Sequence, residues 1–365
     1  MESMEIKNSF GSAYAGKKVL ITGDTGFKGS WLAIWLTELG AEVHGYALPA
    51  QTPRDNFIVT GLKNVIHHKD GDIRNIEDLK KFFNKVQPDI AFHLAAQPLV
   101  LDSYQNPHYT FETNIMGTVN FFEACRSTQS VRAAINITSD KCYQNNEWIW
   151  GYRENDTMGG KDPYSASKGC SELVTSSYTS SFFSHNDSPV VASARAGNVI
   201  GGGDWADYRI VPDFFRALEM NQPLKLRYPN ATRPWQHVLE PLSGYLLLGS
   251  KLLKDGIKYS GGWNFGPVSL TSKTVLDLIS EMKWVLGRGE VIIESGEFLH
   301  EAGLLKLDIS KAVSLLHWGP VLNFKETARF TLEGYIGNDS DIYYSRVQQI
   351  REYTKFGRNA KLEYL

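Results

Sequence analysis

Three glycines spaced three apart, Gly23, Gly26 and Gly29, constrain this chain more than any other feature. They follow the short apolar run Lys18-Val-Leu-Ile-Thr22. They open a segment, Phe27 to Leu39, in which Trp31, Leu32, Trp35, Leu36 and Leu39 recur at helical spacing. A bare G-x-x-G-x-x-G is a weak signal. Between a strand and an amphipathic helix it marks a dinucleotide site, because the backbone there must turn tightly, approach a pyrophosphate and aim the N–H groups of a helix start at it. The candidate cofactor contacts in this turn are Gly23, Thr25, Gly26, Phe27, Lys28 and Gly29.

The first half of the chain continues to alternate. Strands are expected at Glu42–Leu48, Asn64–His67, Asp89–Leu94, Arg132–Thr138 and Val190–Ser193, and helices at Asn75–Val86, His108–Ser127 and Asp162–Phe183. This alternation implies right-handed βαβ crossovers and an α/β fold of Rossmann type, a doubly wound parallel sheet with ligands beyond the carboxyl ends of its strands. After about Ile200, prolines and glycines punctuate shorter segments. A mainly dinucleotide-binding domain is expected over 16–200, with its sheet completed by a segment near 261–267. A smaller C-terminal substrate-binding lobe is expected mainly over 201–340, and a polar tail over 341–365.

The end of the second strand, where an acid selects NAD and an arginine favours NADP, reads His44-Gly45-Tyr46. It carries no acid, and Arg54 is nearby in sequence, so this position does not choose. Asp72, followed by Ile73, is a candidate adenine contact or a turn cap. Leu94, Ala95 and Ala96 after the fourth strand would let a cofactor approach the backbone, or serve as tight core packing.

Tyr164-Ser-Ala-Ser-Lys168 carries chemistry. Its i, i+4 spacing at a helix start puts a phenol and an ammonium on one face. A nearby cation favours phenolate, so the phenol can take the proton of an alcohol whose carbon gives up a hydride. Just upstream, Thr138-Ser-Asp-Lys-Cys-Tyr143 closes the fifth strand. Ser139 can hydrogen-bond a substrate hydroxyl beside Tyr164. Asp140 can be a general acid if burial raises its pKa, and Lys141 a base only if partly neutral. The alternative is an ordinary strand-end turn, with Asp140 as cap and Lys141 in solvent.

A net charge of −2 over 365 residues, with no block of like charge, gives no basic face for nucleic acid or an acidic membrane. No apolar run is long enough to span a bilayer, and Met1–Gly16 lacks the apolar core of a signal peptide, so a cytoplasmic protein is expected. Cys125, Cys142 and Cys170 stand in no zinc or disulfide spacing, so each reads as a small apolar side chain and no metal is expected.

Together these residues resemble the extended short-chain dehydrogenase/reductase family, whose order is Thr22-Gly-x-x-Gly-Phe-x-Gly29, then Ala95-Ala96, then Tyr164-x-x-x-Lys168. Within it the chain is similar to the nucleotide-sugar 4,6-dehydratases, and among those to the branch acting on CDP-glucose. Thr138–Tyr143, Gly26–Trp31, Ala95–Val100, Trp150–Glu154, Arg195–Trp205 and Arg233–Val238 carry that likeness, which runs from about Gly16 to at least Trp318. The resemblance implies NAD as cofactor, a nucleotide sugar (CDP-glucose) as substrate, and a homo-oligomer paired through the helices near 108–127 and 162–183. It implies catalytic roles for Tyr164, Lys168, Ser139 and Asp140. Lys141 stands where dehydratases using dTDP-glucose carry a Glu as the C5 base. Gln97, Arg195, Asn198, Arg233 and Gln236 would contact substrate, or Arg195 and Arg233 serve as structural ion pairs and Gln236 only lines the wall. Two positions depart from the pattern: Asp24, where His is usual, and Leu101, where Arg is usual.

Overall fold

The apolar runs form one seven-stranded parallel sheet. In the computed structural model, which describes residues 6–185, 187–268, 273–294, 304–337 and 341–365, its strands are β1 (Lys18–Thr22), β2 (Glu42–Ala47), β3 (His67–Asp70), β4 (Ile90–His93), β5 (Ala133–Ile137), β6 (Val190–Arg195) and β7 (Gly261–Asn264). Residues 1–5 of the polar N-terminal stretch lie outside the described residues. The strands lie in the order β7-β6-β5-β4-β1-β2-β3. Strand order reverses between β1 and β4, and in such sheets ligands bind at the carboxyl ends of the strands beside that reversal.

Among the described residues nine longer helices surround the sheet and build the lobe: α1 (Phe27–Glu38), α2 (Ile76–Val86), α3 (Gly117–Arg126), α4 (Pro163–Phe182), α5 (Ile210–Glu219), α6 (Leu239–Asp255), α7 (Val275–Leu286), α8 (Phe324–Ile336) and α9 (Ile342–Asn359). Local chemistry fixes where they start. Asn75 accepts the Asp78 N–H ahead of α2, and Asp162 accepts the Ser165 N–H ahead of α4, whose first residue is Pro163. Every residue of β4 and β5 is buried. Both faces of those strands are covered, which is why they read as continuous apolar runs.

One core joins α1, α6 and α9 to the sheet through Trp31, Trp35, Leu246, Trp263 and Tyr353. On the other face Phe83, Phe121 and Phe122 pack under α2, α3 and α4. Phe214, Phe215, Leu278, Met282 and Leu332 form the core of the lobe. The segment after residue 341 is not loose: Val347, Ile350 and Tyr353 are buried, and the Tyr353 ring meets Trp35 edge-on at 5.7 Å.

The expected strand at Asn64–His67 lies instead at His67–Asp70, and Leu62–Asn64 form a helical turn. This edge strand is polar. It is held by side-chain bonds from His68 to Asp24 and from Lys69 to Asp78, which no hydrophobic pattern announces. The helix expected at His108–Ser127 begins at Pro107 and widens over Glu112–Met116 before continuing as α3. Among the described residues no helix is long and apolar enough to cross a membrane.

Candidate active site

A cavity of about 1030 Å³ lies between the carboxyl ends of the strands and the lobe. On its cofactor side the loop after β1 lies hard against the loop after β4. A Cβ on Gly23, whose φ is +80°, would stand 2.6 Å from the Ala95 nitrogen, and one on Gly29 would stand 2.0 Å from the Gly23 carbonyl oxygen. Only glycine fits at either place. Gly26 caps α1 without a side-chain acceptor, which suits a helix start that receives an anion. Thr25 donates to the Leu48 carbonyl at 2.9 Å, tying this turn to the end of β2.

Gly23, Thr25, Gly26, Phe27, Lys28, Gly29, Asp72, Ile73, Leu94, Ala95 and Ala96 all line the cavity. The Asp72 carboxylate also accepts the Arg74 N–H at 2.9 Å and faces its guanidinium at 2.6 Å, so it caps its turn as well. Hydrogen bonding from Arg74 holds it below the usual carboxylate range. Asp24 turns away, fully buried under Gly45, and meets His68 Nδ1 at 2.7 Å. Burial pushes its pKa up, against the pull of His68.

On the catalytic side, Tyr164 and Lys168 project from the first turns of α4 into the same cavity as Ser139, Asp140 and Lys141. Ser139 donates to Asp140 Oδ1 at 2.9 Å and is hydrogen-bonded to the Tyr164 phenol. Burial pushes that phenol up to about 12, against the Ser139 bond and the Arg209 cation. This is opposite to the lowering expected from the Tyr–Lys spacing, because burial outweighs the Ser139 bond and the Arg209 cation. Burial pushes Lys168 down to about 8, with Glu172 and then Cys142 opposing. Cys142 itself is buried, and burial pushes its thiol up, as befits an inert side chain.

Sequence reasoning missed two members of this cluster, Tyr245 and Arg209, and marked a third, Lys28, only as a cofactor contact. The Lys28 ammonium stands 3.5 Å from the Tyr245 hydroxyl and is pushed down to about 7 by burial, then by Lys168 and Arg209. Arg209 donates to Asp204 at 2.7 Å. Tyr245 and Arg209 come from α6 and the start of α5, where no motif marks them. For Lys28 the glycine pattern marked the position but not where its side chain goes.

The expected substrate contacts divide. Asn198 and Arg233 line the cavity, and the Asn198 amide donates to Asp140 Oδ2 at 3.4 Å. Gln97 also lines it, but its amide is engaged by the Leu99 carbonyl at 3.0 Å and Thr110 at 2.8 Å. Two of them do not reach the wall. Arg195 is absent from the cavity wall because the buried Glu172 carboxylate captures its guanidinium at 2.7 Å. Gln236 is buried behind the wall, where its amide donates to the Gly197 and Phe265 carbonyls at 2.9 and 3.3 Å. Trp148 stacks on Tyr152, Trp150 is exposed, and neither reaches the cavity.

Comparison with known proteins agrees with this architecture. The profile described as GDP-mannose 4,6 dehydratase matches residues 20–331. A CDP-glucose 4,6-dehydratase of Salmonella typhimurium is 50% identical over 319 residues, covering 86% of this chain and 89% of that protein. Among solved structures, an epimerase of Methanothermobacter thermautotrophicus superposes with a TM-score of 0.77 at 23% identity, covering 96% of this chain and 97% of that one. A dTDP-glucose 4,6-dehydratase of Streptomyces venezuelae superposes with a TM-score of 0.75 at 23% identity, covering 88% and 97%. The two structures share the fold. The profile match and the Salmonella relative carry the stronger statement, that this chain belongs to the GDP-mannose 4,6 dehydratase family of extended short-chain dehydrogenases/reductases.

Proposed function

We propose that this chain is an NAD-dependent lyase that converts CDP-glucose to CDP-4-keto-6-deoxyglucose. The observation that carries the reading is the meeting in one cavity of Tyr164 and Lys168 with Ser139, Asp140 and Lys141, beside a glycine cradle that a Cβ would fill. A phenol and ammonium alone would suit many oxidoreductases. The acid hydrogen-bonded through Ser139 to the same phenol adds a group able to expel a hydroxyl.

The cradle of Gly23, Gly26 and Gly29, with Ala95 against it, fits a dinucleotide pyrophosphate. A nicotinamide dinucleotide held there supplies the carbon that takes up a hydride and later returns it. Tyr164, with Lys168, takes the proton of the sugar C4 hydroxyl, and Ser139 orients that hydroxyl. The C4 ketone makes the C5 proton acidic. Lys141 takes that proton, Asp140 gives one to the C6 hydroxyl, which leaves as water, and C5 regains a proton as the hydride arrives at C6. Asn198 and Arg233 face the nucleotide sugar, Arg233 suiting a phosphate.

In this reading residues 16–200, completed by the segment near 261–267, are mainly the dinucleotide domain, and 201–340 mainly the nucleotide-sugar lobe. The protein acts in the cytoplasm as a homo-oligomer. The test is to offer CDP-, dTDP-, GDP- and UDP-glucose in turn and assay for a 4-keto product. Turnover of CDP-glucose in preference to the others is expected. A CDP-hexose epimerised without loss of water would overturn the reading.

A further inference from the structure

The buried pair that removes Arg195 from the cavity has its own geometry. Glu172 follows Lys168 by one helical turn, as Lys168 follows Tyr164, so the three share a face of α4. The Glu172 carboxylate accepts from Ser193 Oγ at 2.6 Å, from Arg195 Nη2 at 2.7 Å and from the hydroxyl of Thr138, the residue just before Ser139. Arg195 Nη1 donates to the Tyr143 hydroxyl at 2.6 Å and to the Glu154 carbonyl at 3.0 Å. Tyr143 in turn donates to Asn264 Oδ1 at 2.7 Å on β7. The catalytic turn is therefore gripped at both ends, Thr138 and Tyr143, by one ion pair rooted in α4 and β6. Gly262 makes room for it: a Cβ there would stand 2.4 Å from Arg195 Nη2. The two side chains are only 5% and 4% exposed. A buried pair is a poor source of stability compared with apolar packing. What this one supplies is direction.

Resting on the dehydratase reading, we propose that Glu172 and Arg195 are positioning residues, which clamp the Ser139–Asp140–Lys141 turn to the helix carrying Tyr164 and Lys168 and keep an anion beside Lys168. The groups facing Lys168 are Tyr164 and Glu172 on its own helix, Cys142 from the turn, His93 from β4 and Lys28 from α1. Of these, Glu172 is the carboxylate that favours the ammonium, and Arg195 holds Glu172 ionised against its burial. Removing either member of the pair must therefore move Lys168 in the same direction, down.

The experiment uses the full chain as wild type, Glu172→Gln, Arg195→Met, Arg195→Lys and the double variant Glu172→Gln/Arg195→Met. Two quantities are read: the titration point of Lys168, from carbon-13 lysine resonances assigned by their loss in Lys168→Arg, and the pH profile of kcat/KM. Glu172→Gln and Arg195→Met should each lower the titration point by about one pH unit, with the double variant no lower than Glu172→Gln alone. Arg195→Lys keeps the charge but loses the fork. It should leave the titration point in place while kcat falls at least about tenfold at nearly constant KM, the mark of lost positioning. An unmoved Lys168 with activity falling only as Tm falls would overturn the proposal. If Arg195→Met does not fold, Glu172→Gln and Arg195→Lys decide. Should wild type turn over no nucleotide sugar, the dehydratase reading fails, while the lysine titration still judges the clamp.

Discussion

The roles of individual residues follow from what is buried beside them. Tyr164 and Lys168 were legible because their spacing on a helix states their chemistry, and Ser139 and Asp140 because they close a strand that ends at the cavity. Arg195 was not, because its partner Glu172 lies 23 residues away, and only the fold shows that the carboxylate reaches it first. Tyr164→Phe should lower kcat/KM by about 10²–10⁴, the usual worth of a general base, with cofactor affinity unchanged in a binding titration. Asp140→Asn should let C4 oxidation proceed but stall water loss, leaving reduced cofactor that near-ultraviolet absorbance would detect on mixing with substrate. The Lys168 ammonium, at about 8, is lost as pH rises. Activity that depends on it should fall as pH climbs through about that value, and a profile flat across this region would speak against the ammonium's part.

At the scale of elements, the decisive feature is the close approach of the loops after β1 and β4. The glycine spacing made this readable, since a pyrophosphate cradle tolerates no side chain there. A Gly29→Ala Cβ would meet the Gly23 carbonyl oxygen at 2.0 Å, so the turn must open. That variant should hold NAD at least about tenfold more weakly by equilibrium dialysis, the scale set by 1.4 kcal/mol. The edge strand β3 was misplaced by three residues because its four residues are polar and paired on one side only, so no hydrophobic register exists to be read. The contacts of His68 and Lys69 fix it instead.

For the whole molecule, the sequence revealed the sheet but not how the C-terminus closes it. α9 docks on α1 and α6 through Tyr353, whose hydroxyl donates to buried Glu240 at 2.8 Å. Glu240 also accepts the Val321 and Leu322 N–H groups. Nothing local in the sequence signals an acid inside that interface. Burial pushes Glu240 up to about 7, so the folded protein holds its proton more tightly than the unfolded chain. The contribution to stability is then present below the ordinary carboxylate range and is lost as pH rises through about 7. Wild-type Tm should decline across that window, and Glu240→Gln should flatten the decline.

In the proposed reaction a hydride leaves C4, water leaves from C5 and C6, and the hydride returns within the same molecule. CDP-glucose carrying deuterium at C4, turned over in ordinary water and read by NMR, tests this most directly. The deuterium should appear at C6 of a 4-keto-6-deoxy product. Deuterium retained at C4 of a CDP-hexose would contradict the account.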